Sequence, residues 1–375
     1  MNQTGPVMVI AGTRPEVLKL APVVAALRGI GVPTTLVATG QHSEILERAF
    51  GDVQLQPDIR IDVLRPHQPL PALIARVLDE IGALLAAHSC SAVVVQGDTA
   101  SAFGGALAAF LSGLPVFHVE AGLRTNRLDQ PFPEEALRQM LSRIAVHHFA
   151  PTRRAADALV SEGIPAGSIQ ITGNTIVDTL LMRPAPASPA DGALRTVPWD
   201  THRVVFMTTH RRESHGENLR RILDQAVDAL LRIPDIAFVI TSHPNPAVQN
   251  ALQVARAAAV RFPGRLLVVE PLTYADVLFV LSRCWLVATD SGGLQEEAPS
   301  FRRLVLVLRD ATERLEGVDA GVARLVGPAL AAGIDAVCSG EFAWPEGVPN
   351  PYGDGHAGER IAAAIHARVS GTGSG

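Results

Sequence analysis

The sequence predicts an α/β protein built from two doubly wound halves, and three observations carry that prediction. Short, almost wholly apolar runs such as Val7–Ile10, Ala92–Gly97 and Leu304–Leu308 alternate with helical segments, which is the pattern of buried parallel strands joined by crossover helices. The rhythm halts at a proline-rich stretch, Arg183–Pro198, and then restarts. The chain has 375 residues, more than the roughly 250–300 at which single cores stop growing.

Composition excludes several classes. Apolar residues make up 47% and mean hydropathy is +0.22, as suits a well-buried core. A net charge of −5 gives no reason to expect a nucleic-acid or anionic-membrane partner. No apolar stretch approaches about 18 residues and no basic, apolar leader opens the chain, so a cytoplasmic location is expected. Cys90, Cys284 and Cys338 lack paired spacing and read as buried free thiols. The histidines form no ligand cluster, so no metal is expected. Among the basic residues Lys19 is the single lysine.

The elements follow in order. Val7–Ile10 is the first strand, and Gly12-Thr13-Arg14-Pro15-Glu16 opens a helix through Leu27. Thr13 and Glu16 have capping-box spacing and Pro15 suits the first turn, while Arg14 and Lys19 place cations near a helix N-terminus that favours anions. Neither a dinucleotide fingerprint nor a P-loop is present. Thr34–Ala38 leads into Gln41-His42, and Ile59–Leu64 reads as a strand before the helix Leu73–Ala87.

The stretch from Ala92 to Glu135 carries the chemistry. The Ala92–Gly97 and Val116–Glu120 runs each close on a carboxylate, Asp98 and Glu120, with the small-residue helix Ser101–Leu111 between them. In an open parallel sheet the C-terminal edge faces the ligand crevice, so these acids meet there. Glu134 follows on a loop stiffened by Pro131 and Pro133, and three converging acids propose proton chemistry. Alternation puts His118 on the face of Glu120, where it reads as a core group. His147–Pro151 and Ile169–Gly173 end this half.

The second half places strands at Val204–Thr208, Ala237–Thr241, Leu266–Glu270, Leu286–Ala288 and Leu304–Leu308. His210, followed by Arg211 and Arg212, leaves the first of them. Ser291-Gly292-Gly293 opens a helix containing Glu297, which suggests backbone amides for a diphosphate and an acid for ribose hydroxyls. Arg309 and Arg314 could neutralise that charge.

Taken together, G-T-R-P-E (12–16), T-G-Q-H (39–42), Q-G-D-T (96–99), H-V-E-A-G-L-R-T (118–125), P-E-E (133–135), T-H-R-R-E (209–213), H-P-N-P (243–246), T-D-S-G-G-L-Q-E-E-A-P-S (289–300) and N-P-Y-G-D-G (350–355) resemble the non-hydrolysing UDP-N-acetylglucosamine 2-epimerase family nearly end to end. The resemblance implies two Rossmann-like domains facing a central cleft, as in the glycosyltransferase-B architecture. The expected domains are 1–182, with a C-terminal helix 356–370 packing back on it, and 201–355, with 183–200 as linker.

It further implies reversible inversion at sugar carbon 2, between UDP-GlcNAc and UDP-ManNAc, by a homodimer without an added cofactor. Asp98, Glu120, Glu134 and His210 would be catalytic. Arg14, Lys19, Ser291, Gly292, Gly293, Glu297 and Arg314 would hold the nucleotide diphosphate, and Gln41, His42, Arg211 and His243 a regulatory UDP-GlcNAc. A hydrolysing epimerase, or a nucleotide-sugar sensor or glycosyltransferase of the same fold, are the alternatives. Leu137, Val277 and Leu315 depart from the family's Asn, aromatic and Pro.

Overall fold

The computed structural model describes residues 5–40, 44–65, 68–209, 216–243 and 245–371. The chain divides into two compact units, Met1–Arg183 with Tyr352–Gly375, and Pro184–Pro351.

The first unit is a seven-stranded, all-parallel sheet. Its strands are β1 (Val7–Ala11), β2 (Thr34–Ala38), β3 (Ile59–Arg60), β4 (Ala92–Gln96), β5 (Val116–Val119), β6 (His147–Ala150) and β7 (Ile169–Ile171), in the order β3-β2-β1-β4-β5-β6-β7. Between them run α1 (Arg14–Gly29), α2 (Glu44–Asp52), α3 (Leu70–Ala87), α4 (Ala100–Leu111), α5 (Glu134–Ile144) and α6 (Arg153–Ser161), and α7 (Thr175–Met182) follows β7. Every residue of β1, β4 and β5 is buried, because helices cover both faces of a doubly wound sheet. α4 approaches its neighbours closely: a Cβ on Gly104 would lie 2.7 Å from Val77, and one on Gly105 2.6 Å from Ile10. That is why this helix is written in Ala and Gly.

Several expectations change in detail. β3 keeps two residues of the expected Ile59–Leu64 run. β5 stops at Val119, so Glu120 lies past the strand with φ +62° and does not share a strand face with His118. Leaving the extended conformation turns its side chain out of the strand's alternation. The capping box of α1 is half made, since Glu16 reaches back to Thr13 but the Thr13 hydroxyl caps nothing in return.

The second unit is a six-stranded parallel sheet. β8 (Arg203–Thr208), β9 (Ile236–Thr241), β10 (Leu266–Val269), β11 (Leu286–Thr289), β12 (Leu304–Val307) and β13 (Ala323–Leu325) stand in the order β10-β9-β8-β11-β12-β13. The helices are α8 (Glu217–Arg232), α9 (Pro246–Ala259), α10 (Tyr274–Arg283), α11 (Gly292–Glu297), α12 (Leu315–Asp319) and α13 (Leu330–Ser339). Of residues 183–200, expected as linker, all but Arg183 belong to this unit. Leu194 and Val197 enter its core, and Asp276 accepts the backbone N–H of Ala190 at 2.7 Å. Cys90 and Cys284 are buried as expected, whereas Cys338 is exposed beside Arg203.

The last helix, α14 (Ala357–Gly371), packs against α1 and α7 in the first unit. Pro22 lies inside α1 and has no N–H for the carbonyl four residues back. The Thr179 hydroxyl donates to that Leu18 carbonyl instead, at 2.6 Å. Asp178 accepts the Gly358 N–H at 2.7 Å, and a Cβ on Gly358 would lie 2.8 Å from the Pro22 carbonyl oxygen. No helix among the described residues is long and apolar enough to cross a membrane.

Three imidazoles sit in the first unit's core. Burial pushes His118 down to about 3, and His147 and His148 down to about 4, from an ordinary 6.5. The unfolded chain therefore binds more protons below that ordinary value, and stability falls as pH drops from 6.5 towards the folded values. At about pH 5 each should cost roughly 1–2 kcal/mol. Urea midpoints at about pH 7.5 and pH 5 check this, and His147→Phe, whose ring would lie against Phe117 and Phe149, should lower the difference by about a third.

Candidate active-site residues

In the first unit the chain leaves β1, β4 and β5 at their C-terminal ends with polar residues. Glu120 forms a buried ion pair with Lys19, whose ammonium donates to Oε2. Lys19 sits on α1, so the helix that follows β1 supplies the cation for the acid that follows β5. Asp98 lies in the turn after β4 with its side chain 28% exposed, and Arg138 Nε reaches its Oδ2 at 3.1 Å.

Arg138 belongs to the first turns of α5 and also approaches Glu135 at 3.6 Å. Glu135 in turn accepts the backbone N–H groups of Thr125 at 3.0 Å and Asn126 at 3.2 Å. Asp98, Arg138 and Glu135 thus tie the loop after β4, the start of α5 and the loop after β5 together. Glu134 is half-buried on the same helical turn, and its Oε2 is buried without a hydrogen-bond partner among the described residues. Arg14 is half-buried near Asp52. Leu137 is buried on α5.

The motif P-E-E (133–135) contains Glu135 but assigns it no role, and no motif contains Arg138. The signal that could have found them is the three-residue spacing of Glu135 and Arg138, which puts the cation on the acid's side of the helix.

The second unit has its own cluster at the ends of β8, β11 and β12. Thr208 and Thr289 share a 2.6 Å hydroxyl contact across adjacent strands. The Ser291 N–H donates to Thr289 Oγ1 at 2.9 Å, so the Ser-Gly-Gly turn offers the amides of Gly292 and Gly293 rather than all three. Arg314 lies against this turn, since a Cβ on Gly292 would be 3.0 Å from its Cζ. Arg314 donates to Glu296 at 2.9 Å and to Glu313 at 2.6 Å, and Arg309 donates to Glu313 at 2.9 Å. Glu296 and Glu313 were not singled out from the sequence; their sites become apparent only once α11 and the loop after β12 are folded together.

Glu297, on the same short helix, is buried, and Val277 is half-buried against the unit's core. His243 is half-buried, with Nδ1 accepting the Asn245 N–H at 3.2 Å. His210, Arg211, Gln41 and His42 lie outside the described residues. Among the described residues no group of three or more His, Cys, Asp or Glu side chains is placed to hold a metal ion.

Two parallel sheets wound with helices, one edged with paired carboxylates and the other with arginines beside a Gly-Gly turn, define the α/β class of the two units. The chain belongs to the UDP-N-acetylglucosamine 2-epimerase family, which it matches over residues 26–366. It is 36% identical to the UDP-N-acetylglucosamine 2-epimerase of Yersinia pestis, over 96% of this chain and 98% of that one. Among solved structures, the Neisseria meningitidis UDP-GlcNAc 2-epimerase bound to UDP-GlcNAc is 32% identical, with a TM-score of 0.84 over 96% and 99% of the two chains. The Methanocaldococcus jannaschii enzyme in complex with UDP-GlcNAc and UDP is 30% identical, with a TM-score of 0.77 over 96% and 99%.

The Lys19–Glu120 pair allows a direct test. Lys19→Met should lower stability by about 3–5 kcal/mol, because it leaves a buried carboxylate without its cation. Adding Glu120→Gln should restore most of that loss in urea-midpoint measurements, whereas additive losses would show that the two side chains do not interact.

Proposed function

We propose that this protein interconverts UDP-GlcNAc and UDP-ManNAc without releasing free sugar. The observation that carries this reading is the set of carboxylates following β4 and β5 and opening α5, two of them held by buried cations. The ligands present in the Neisseria and Methanocaldococcus relatives support the substrate.

Carbon 2 carries no strongly acidic proton, so departure of UDP comes first or in concert. The bond from carbon 1 to the phosphate oxygen breaks and UDP leaves with the electron pair. A carboxylate takes the carbon 2 proton, and a double bond forms between carbons 1 and 2, giving a 2-acetamidoglycal. Return of a proton to the opposite face of carbon 2, with attack of the UDP oxygen on carbon 1, yields the epimer. Two faces require two proton carriers, for which Asp98, Glu120 and Glu134 are the candidates, with His210 assisting. Arg14 and Lys19, with Arg314 and the Gly292–Gly293 amides, stabilise the charge that gathers on departing UDP. Ser291 and Glu297 hold the β-phosphate and ribose. Gln41, His42, Arg211 and His243 would form a second, regulatory UDP-GlcNAc site, the reading their motifs support.

In deuterated water, proton NMR should show deuterium entering carbon 2 during epimerisation while nearly all sugar stays attached to UDP. Epimerisation without deuterium uptake would exclude elimination and readdition, and free ManNAc rising in step with UDP would identify a hydrolase. Asp98→Asn, Glu120→Gln and Glu134→Gln should each lose about 10²–10⁴-fold in turnover yet still bind UDP.

Gly292→Ala should do the reverse. Its methyl group would press on the Arg314 guanidinium, and losing one charge-assisted bond of about 1.5–3 kcal/mol should weaken UDP binding at least tenfold by calorimetry.

A further inference from the structure

Glu16 is a buried carboxyl on the third residue of α1, and no reaction step above uses it. One oxygen accepts the Gly12 N–H at 3.0 Å and the other the Thr99 hydroxyl at 2.6 Å. Thr13 contributes further hydrogen bonds to the same carboxyl. Gly12 and Thr13 belong to the loop after β1, which carries Arg14. Thr99 directly follows Asp98 in the turn after β4, and β1 and β4 are hydrogen-bonded neighbours in the sheet. Thr99 is also the N-cap of α4, accepting the Ala102 N–H at 3.0 Å. One side chain therefore fastens the Arg14 loop to the Asp98 turn and to the start of α4.

We propose that Glu16 is a positioning residue that couples the Arg14 loop to the Asp98 turn and so holds Asp98 in the geometry its proton transfer requires. This rests on the role given to Asp98 above. The placement has a chemical logic. The Gly12 and Thr13 N–H groups can only donate and the Thr99 and Thr13 hydroxyls are placed to donate, and an ionised carboxylate is acceptor-only, so the charged form uses every bond on offer. A protonated carboxyl brings a donor of its own, which the Thr99 or Thr13 hydroxyl can take only by turning its own proton away, and the tie loosens.

The surroundings set the pH at which this happens. Burial raises Glu16 from 4.5 to about 7, against the opposing bonds from Thr99, Thr13 and Gly12. The charged groups nearest in the chain are Arg14 and Lys19 on α1, Asp98 beside Thr99, and Glu120 through its pair with Lys19. A raised carboxyl contributes stability that is present in full below its ordinary value and is lost as pH rises through about 7. Above neutrality the protein thus holds a buried charge at a cost in stability, which a purely structural hydrogen bond would not require.

Glu16→Gln separates the two roles. The amide keeps the size of the carboxyl but carries no charge and can accept on only one of its two terminal atoms. At about pH 8 its thermal midpoint should be no lower than that of the native protein. Its kcat should fall about tenfold or more, as small displacements of a reacting group do, while KM for UDP-GlcNAc changes less than about twofold. The acid limb of kcat near pH 7 should disappear. Thr99→Ser, which keeps the hydroxyl, should retain kcat and the limb, and Thr99→Val should lose both.

A Glu16→Gln protein with native kcat and a native pH profile would overturn the proposal. So would a fall in kcat matched by a fall in thermal midpoint with the pH limb intact. Asp98→Asn assayed alongside keeps the two levels apart. An inactive Asp98→Asn beside a fully active Glu16→Gln refutes only the coupling, whereas an active Asp98→Asn refutes the role of Asp98 itself.

Discussion

The rest of the structure depends on one constraint: strands of a doubly wound parallel sheet are buried on both faces. Polar side chains that do chemistry can then emerge only where the chain leaves a strand. In the first unit those exits are residues 12–16, 97–99 and 120–126, after β1, β4 and β5. Charges held there are mostly dry, so each needs a partner. α1 serves two of these exits from one face, since Glu16 and Lys19 are three residues apart. Glu16 reaches the exit of β4 and Lys19 the exit of β5. α5 supplies a further partner, Arg138 against Asp98.

The second unit solves the same problem with the opposite sign. Its cations are half-buried, and acids hold them: Glu296 and Glu313 take Arg314, and Glu313 also takes Arg309. Two carboxylates on one guanidinium keep the planar fork oriented beside Gly292. They also reduce the field that the arginine offers to an incoming anion. Placement is favoured over raw attraction.

Much of this was legible in the sequence, and the limits have physical causes. Strands buried on both faces announce themselves as apolar runs, and β1, β4, β8 and β12 were read nearly to the residue. β13 was missed because three residues, two of them only half-buried, leave no such run. Arg183–Pro198 reads as a connection from its prolines, yet Leu194 and Val197 within it enter a core. Asp98 and Glu120 stood out as acids ending apolar runs. Lys19, the partner of Glu120, stood out as the single lysine, whereas Arg138, the partner of Asp98, lies on a helix amid other charges, and only tertiary contact shows which carboxylate it serves. The bend at Glu120 was invisible for a related reason: periodicity continues through a residue whose backbone has already turned.

The discontinuity of the first unit has a consequence for synthesis. Its sheet is complete by β7, which ends at Ile171, but α1 still lacks the helix that covers it, because α14 begins only at Ala357. A nascent chain therefore carries an uncovered α1 surface, with Pro22 at its centre, while all of β8 to β13 is made. The second unit can finish as an unbroken segment and the first cannot, so the order of completion runs against the order of translation. Truncations within α14 would accordingly strike the domain farthest from them in sequence.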